Sequence, residues 1–257
     1  MNNKTLVYTT CDFTPYSYEC SELLYRSLSI YNSNFDFYII SNKNSETSNF
    51  PIIVDDSPSR KVLGNWKYSP LIPKGYDQYF YLDSDILCFG KLEDLCDQND
   101  LSLCTENHKM SDSEYFCYEY ATPEEKEKMK NYYAFQAGSF GFKNIEFLKE
   151  MRELIEPRLR NIQIPQGLSR EEYHKLILPD AILDQTSLNY HVLKQLPDIK
   201  YHDFTDKVVI RPDDPFKPYT ENKIIYHFCG FRAEMYSKYL RMINYCRLNG
   251  IEIEWIY

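Results

Sequence analysis

Apolar residues along this chain fall into short runs of strand character separated by segments of helical spacing. Leu6–Thr10 (LVYTT) is β-branched and aromatic, the pattern of a buried strand. Pro15 breaks the chain, and Tyr18 to Ile30 then carries Leu23, Leu24, Leu28 and Ile30 close to helical period. Phe35–Ile40 (FDFYII) and Ile52–Val54 read as two more strands, with a polar loop at Asn42–Asn49 between them. Tyr79–Leu82 (YFYL) is a strongly apolar strand that stops abruptly at Asp83. Strands alternating with helical segments predict an α/β chain with a mainly parallel sheet covered by helices on both faces.

The second half is less regular. Thr122-Pro123-Glu124-Glu125 combines a capping residue, proline at the first helical position and glutamate three after the cap, which is a capping-box start. Ser169-Arg170-Glu171-Glu172 repeats the signature, so helices are predicted over Thr122–Tyr132 and Ser169–Leu176, within insertions near 107–133 and 156–180. The Glu124–Lys130 charge run is most simply a solvated helix face. Gly138–Phe142 reads as a strand, Ile145–Ile155 and Ala181–Leu196 as helices, Ile224–Phe228 as the last strand and Glu234–Leu248 as the last helix. With no linker visible, residues 1–257 are expected to form one domain. The first insertion holds Tyr115, Phe116, Tyr118, Tyr120, Tyr132 and Tyr133, whose rings serve equally well as a platform for a ligand or as a small satellite core.

Composition narrows the function classes mainly by exclusion. A formal net charge of −9 leaves no basic excess to neutralise phosphates, so nucleic acid is not an expected partner, nor is a polybasic membrane anchor. No signal-peptide core and no apolar stretch of spanning length occurs, so the expectation is a chain without a transmembrane segment, in the cytoplasm. The eight cysteines show no C-x-x-C pair, which argues for free thiols in a reducing compartment rather than a zinc knuckle.

The positive signal is YFYLDSDIL. An apolar strand delivers two carboxylates, Asp83 and Asp85, at its carboxyl end, where open α/β sheets bind ligands. Two convergent carboxylates suit a hard divalent cation that keeps coordination positions free for substrate phosphates. The plainer reading is a strand end with a capping aspartate. His227 after an apolar run is ordinarily a strand-end residue, but beside two carboxylates it suits manganese better than calcium.

Asp83-Ser84-Asp85 with its preceding strand resembles the D-x-D motif of GT-A glycosyltransferases. Further segments resemble, in the same order, the glycogenin-like retaining branch (family 8). LVYTTCDFTPYSYECSELLYRSL resembles the first strand, base-binding loop and helix of that branch, which implies that Thr9 and Tyr16 contact the nucleotide, Tyr16 by stacking on uracil. Lys67 stands where the branch often has a lysine near the donor. Phe135-Gln136-Ala137-Gly138 resembles its F-N-A-G element, with glutamine in place of asparagine, and implies Gln136 and Ala137 at the donor. Leu183–Asn189 (LDQTSLN) resembles its D-Q-x-x-L-N element and implies catalytic contacts from Asp184 and Gln185 to the donor sugar. Ile225–Gly230 (IYHFCG) resembles its H-F-x-G element, which makes His227 a third metal ligand and places Gly230 at the donor. Six residues after the histidine the branch has a lysine that contacts the diphosphate; here that position is Ala233, and Arg232 beside it is the candidate cation.

The resemblance implies a GT-A, Rossmann-like fold with a mixed central sheet flanked by helices. It also implies Mn2+ (or Mg2+) as cofactor, with Ser84 of the motif near the donor. The donor would be a nucleotide-diphosphate sugar, by resemblance a UDP sugar, and the acceptor a glycan or other hydroxyl compound, with retention of configuration. Two alternatives use the same residues. One is a catalytically inactive nucleotide-sugar- or glycan-binding protein. The other is a haloacid-dehalogenase-type phosphatase, whose D-x-D also follows an apolar strand but normally lies near the N-terminus.

Overall fold

The computed structural model describes residues 4–57, 63–112, 121–160, 183–212, 222–229 and 235–252. Among them the apolar runs become strands β1 (Thr5–Thr10), β2 (Phe35–Ser41), β3 (Ile52–Val54) and β4 (Gln78–Leu82). They are followed by β5 (Ile86–Cys88), β6 (Leu101–Lys109), β7 (Tyr133–Phe142), β8 (Tyr201–Asp203), β9 (Val208–Ile210) and β10 (Ile225–His227). Helices are α1 (Ser17–Tyr31), α2 (Pro123–Met129), α3 (Glu146–Arg160), α4 (Leu183–Gln195) and α5 (Met235–Leu248).

Seven strands pair in the order β3-β2-β1-β4-β7-β6-β8. β1 is parallel to both β2 and β4, and β6 is parallel to β8, but β7 runs antiparallel to β4 and β6. The sheet is therefore mixed, as the resemblance implied, and the mainly parallel reading of the pattern needs correcting in the centre. A buried strand shows the same continuous apolar run whichever way it points. β7 also approaches β4 closely: a methyl group at Gly141 would sit 2.7 Å from the Phe80 ring.

Alternate residues of the central strands feed two cores, as the pleat requires. Leu6, Tyr8, Tyr79 and Tyr81 face α3 and α4 with Phe140 and Phe142, while Val7, Phe80 and Leu82 face Leu24 and Leu28 of α1. A second, three-stranded sheet, β5-β10-β9, packs Leu87 and Tyr226 against Leu23 of α1 and Met242 and Cys246 of α5.

Thr122 and Glu125 form the expected reciprocal capping box at the start of α2. The expected helix at Ser169–Leu176, and Tyr115, Phe116, Tyr118 and Tyr120, lie outside the described residues. Of the remaining insertion aromatics, Tyr132 packs against the larger core and exposed Tyr133 carries the Lys109 ammonium 3.7 Å above its ring. The seven described cysteines are free thiols. No helix among the described residues is long and apolar enough to cross a membrane.

A buried ion pair ties α3 to the segment after β3. The Arg152 guanidinium on α3 binds the Asp55 carboxylate and the Ser57 hydroxyl just after β3, and its Nε donates to the Tyr68 carbonyl at 3.4 Å. Burial alone would raise the Asp55 pKa, but the Ser57 and Ser69 hydroxyls and the Arg152 charge outweigh it and hold the group below its ordinary value. A depressed folded-state pKa contributes stability above the unfolded pKa and loses it as pH falls through the folded one. Asp55→Asn should therefore cost about 3 kcal/mol at neutral pH, the low end for removing one partner of a buried pair, since Glu156 stays 3.9 Å from the guanidinium. In chemical denaturation the gap between variant and wild type should close as pH drops below about 4.

Candidate active site

The site gathers at the carboxyl end of β4. Asp83 ends the strand, its backbone N–H still held by the Gly138 carbonyl of β7 at 2.8 Å, and the chain then turns through Ser84 and Asp85 into β5. β10 pairs antiparallel to β5 with His227 opposite Ile86, and the Phe228 N–H bonds the Asp85 carbonyl at 2.9 Å. This register brings the imidazole over the two carboxylates. Its Nε2 lies 3.5 Å from Asp83 Oδ2 and 3.2 Å from Asp85 Oδ1, and one ligand atom from each residue falls within 4.8 Å of the others. Adjacent ligands of a six-coordinate magnesium or manganese ion stand about 3 Å apart, given bonds of about 2.1 Å. Two acid oxygens and an imidazole nitrogen at these separations fit such an ion. His227 Nδ1 is buried and has no hydrogen-bond partner among the described residues.

β7 passes directly beneath this trio. A methyl group at Gly138 would stand 2.4 Å from His227 Cε1 and 2.9 Å from Asp83 Oδ2, so glycine is what lets the strand support the imidazole from below.

Lys67 comes from a 3-10 helix, Leu63–Tyr68, and is nearly inaccessible at 2% exposure. Its ammonium reaches Ala137 O at 2.7 Å, Asp184 Oδ2 at 2.8 Å and Asp83 Oδ1 at 3.4 Å. These contacts take up all three of its N–H donors. The nitrogen also sits 4.7 Å from the centre of the Tyr81 ring, and the Tyr81 hydroxyl donates to Asp83 Oδ1. Tyr68 donates to the Asp184 carbonyl at 2.6 Å. Asn189, one turn beyond Gln185, bonds both the N–H and the carbonyl of Phe135, at 2.8 and 2.9 Å. The LDQTSLN element is thus fastened to β7 at two points.

Burial disfavours charge on all of these groups, yet their mutual attraction prevails. It pushes against ionised Asp83 and Asp85, but Lys67 and His227 hold Asp83, and His227 and Lys238 hold Asp85, below the ordinary carboxylate value. Burial would lower His227, and the two carboxylates instead lift it to about 10. Lys67 and Lys238 are raised in the same way, by Asp184 and Asp83 for the first and by Asp85 for the second.

A cleft of about 640 Å³ opens over the trio, lined by Asp83, Asp85, Gln136, Gly138, Asp184, Gln185 and His227. Sequence reasoning missed the rest of its lining: Glu106, His108, Ile210, Arg211, Cys229 and Lys238. Lys238 carried no local signal, because it lies eleven residues beyond His227 on α5, and only the packing of that helix puts its ammonium 2.5 Å from Asp85 Oδ2. Arg211 holds a left-handed backbone, φ 52°, with its N–H on the His227 carbonyl. Thr9, Tyr16, Ser84, Lys67 and Ala137 are not among the lining residues. Thr9 is buried at the end of β1, its hydroxyl without a partner among the described residues. Tyr16 begins α1 with φ 69°, its ring 4.7 Å from that of Tyr236 and 5.5 Å from that of Tyr239 on α5. Gly230 and Arg232 lie outside the described residues.

Gly138→Ala tests this arrangement. Overpacking of this size costs about 1–3 kcal/mol, so the fold should survive while the imidazole is displaced. Calorimetric titration should show weakened Mn2+ binding in a variant whose circular dichroism is unchanged.

At the level of sequence the chain matches no family model, and a search of curated proteins found no significant match. Solved structures do resemble it. The apo form of the glycosyltransferase GlyE from Streptococcus pneumoniae aligns with a TM-score of 0.52 at 16% identity, over 98% of this chain and 65% of GlyE. This chain therefore spans about two thirds of that protein's length. The galactosyltransferase LgtC in complex with donor and acceptor sugar analogues aligns at 0.55 and 15% identity, over 95% of each chain. An active-site mutant of LgtC aligns at 0.55 and 13% identity, over 93% of this chain and 95% of LgtC. At such identities the likeness is one of fold: the chain has the GT-A fold of these glycosyltransferases.

Proposed function

We propose that this protein transfers a sugar from a nucleotide-diphosphate sugar, a UDP sugar by resemblance, to a hydroxyl of a glycan or other acceptor, with a divalent metal held by Asp83, Asp85 and His227. The observation that carries the reading is the convergence of these three side chains, from the end of β4, the turn after it and β10, in a cleft that Asp184 and Gln185 also line. A manganese or magnesium ion bound there would supply electrostatic stabilisation to the departing diphosphate.

The chain's own residues do the rest. Asp184, anchored by Lys67 and Tyr68, and Gln185 beside it orient the donor sugar and favour positive charge at the carbon being transferred. Gln136 and Gly138 line the same cleft and would meet the sugar and diphosphate. Tyr16 stacks on the base once its ring parts from Tyr236 and Tyr239, or offers a face beside them. Glu106, His108 and Arg211 complete the lining of the cleft. Binding without turnover is the competing reading, favoured by Gln136 and Ala233 where the resembling enzymes carry asparagine and lysine.

Incubation with Mn2+ and a panel of nucleotide sugars should release nucleoside diphosphate from one donor, and EDTA or Asp85→Asn should abolish the release. A protein that binds UDP with Mn2+ in calorimetry but releases nothing with any acceptor is a binding protein, and absence of UDP binding removes the donor site altogether. Once donor and acceptor are known, the anomeric configuration of the product is expected to match that of the donor, and an inverted centre in its proton NMR spectrum would refute retention.

A further inference from the structure

Residues 210 and 211 break the alternation of a strand. β9 runs parallel to β10 with Ile210 opposite His227, and along a regular strand the next side chain would point to the other face. Ile210 and Arg211 nevertheless both line the cleft. What permits this is the backbone of Arg211, which turns to φ 52° while its N–H stays on the His227 carbonyl at 2.8 Å. The left-handed region crowds the Cβ of an L-residue against its own backbone, and glycine would enter it freely. An arginine held there, beside a candidate metal ligand, is strain of the kind that collects at binding sites.

The other cations at the cleft are already committed. Lys238 Nζ sits 2.5 Å from Asp85 Oδ2, and Lys67 is divided between Asp184 and Asp83. His227 faces the two aspartates. Arg211 is exposed, and among the described residues its guanidinium enters no ion pair. A guanidinium is always charged, and its planar fork of N–H donors matches the oxygens of a phosphate group.

We propose that Arg211 is the residue with which the protein itself grips the diphosphate of the donor, and that it sets the preference for a diphosphate over a monophosphate. This rests on the transferase reading and names the side chain that recognises that part of the substrate. The Arg211 backbone is bonded to that of His227, so a diphosphate bound at the trio lies within reach of the arginine side chain. The strained turn then has a purpose: it brings a charged fork to the cleft from a position whose regular strand geometry would send the side chain away.

The test is calorimetric titration of the protein with UDP and with UMP, each at saturating Mn2+. Wild-type protein should prefer UDP. Arg211→Ala should weaken UDP by about tenfold to a hundredfold, the reach of a hydrogen-bonded charge pair, and leave UMP little changed. Arg211→Lys, which keeps a charge without the fork, should fall between the two. Arg211→Gly should lose the same UDP affinity with no fall in melting temperature, because relief of strain offsets the freedom that glycine adds to the unfolded chain. Binding of Mn2+ without nucleotide, followed by the electron paramagnetic resonance signal of the free ion, should be alike in wild type and variants. Unchanged UDP affinity in Arg211→Ala and Arg211→Gly overturns the proposal. So does equal weakening of UDP and UMP, a parallel loss of Mn2+, or wild-type protein that binds UMP as tightly as UDP. Wild-type protein that binds Mn2+ but neither nucleotide would instead remove the donor reading, and this proposal with it.

Discussion

An ammonium group sealed inside a protein is costly unless every proton it carries is bonded and its charge is answered. Lys67 meets both conditions only because three separate elements arrive at one point: β4 with Asp83, β7 with the Ala137 carbonyl and α4 with Asp184. If any of the three were displaced, a buried charge would be left exposed to a medium that cannot solvate it. The central sheet, the helix on its face and the acid cluster are thereby tied to a common geometry. The Arg152–Asp55 pair extends the same logic outward, since Arg152 also bonds the backbone of Tyr68, the residue next to Lys67.

The small sheet solves a different problem. Asp83 and Asp85 come from one turn, but His227 has to reach them from far along the chain. The antiparallel pairing of β10 with β5 does this with backbone bonds alone, and its register decides which side chain faces the acids. A slip of one residue would turn His227 away and bring an apolar neighbour in its place, because side chains alternate across a strand. Specificity of the cluster is thus set by a ladder only three residues long, backed by the apolar contacts of Leu87, Tyr226 and Phe228.

Much of this was legible in the sequence where local pattern and local physics coincide. β1 and β4 announce themselves because both faces are buried, β2 by its aromatic and β-branched run, and the capping box of α2 is complete within four residues. The strands that escaped notice depend on partners. β6 (LSLCTENHK) mixes polar residues into its length and owes its conformation to β7 and β8, with breaks in register along the way. β5, β8 and β9 have three residues each, too few for a periodic signal. The site divides along the same line. Asp83, Asp85, His227, Asp184 and Gln185 were reached from motifs, and the fold brings them to one cleft. Lys67 was expected at the donor, but its contacts are spent on the protein itself. Lys238 went unseen because nothing near it in sequence refers to Asp85.

Asn189 grips the backbone of Phe135 with both ends of its carboxamide, as a neighbouring strand would. Helix α4 can therefore neither roll about its axis nor slide along β7 without breaking both bonds together, and Asp184 and Gln185 are carried one turn away on the same rigid body. Ligands of different bulk cannot be accommodated by movement of this wall. Any room has to come from the rest of the lining, such as Glu106 and His108 on β6 and Arg211 just after β9. The α4 side of the cleft is thus a fixed template, and any change of its shape falls to side chains carried by other elements.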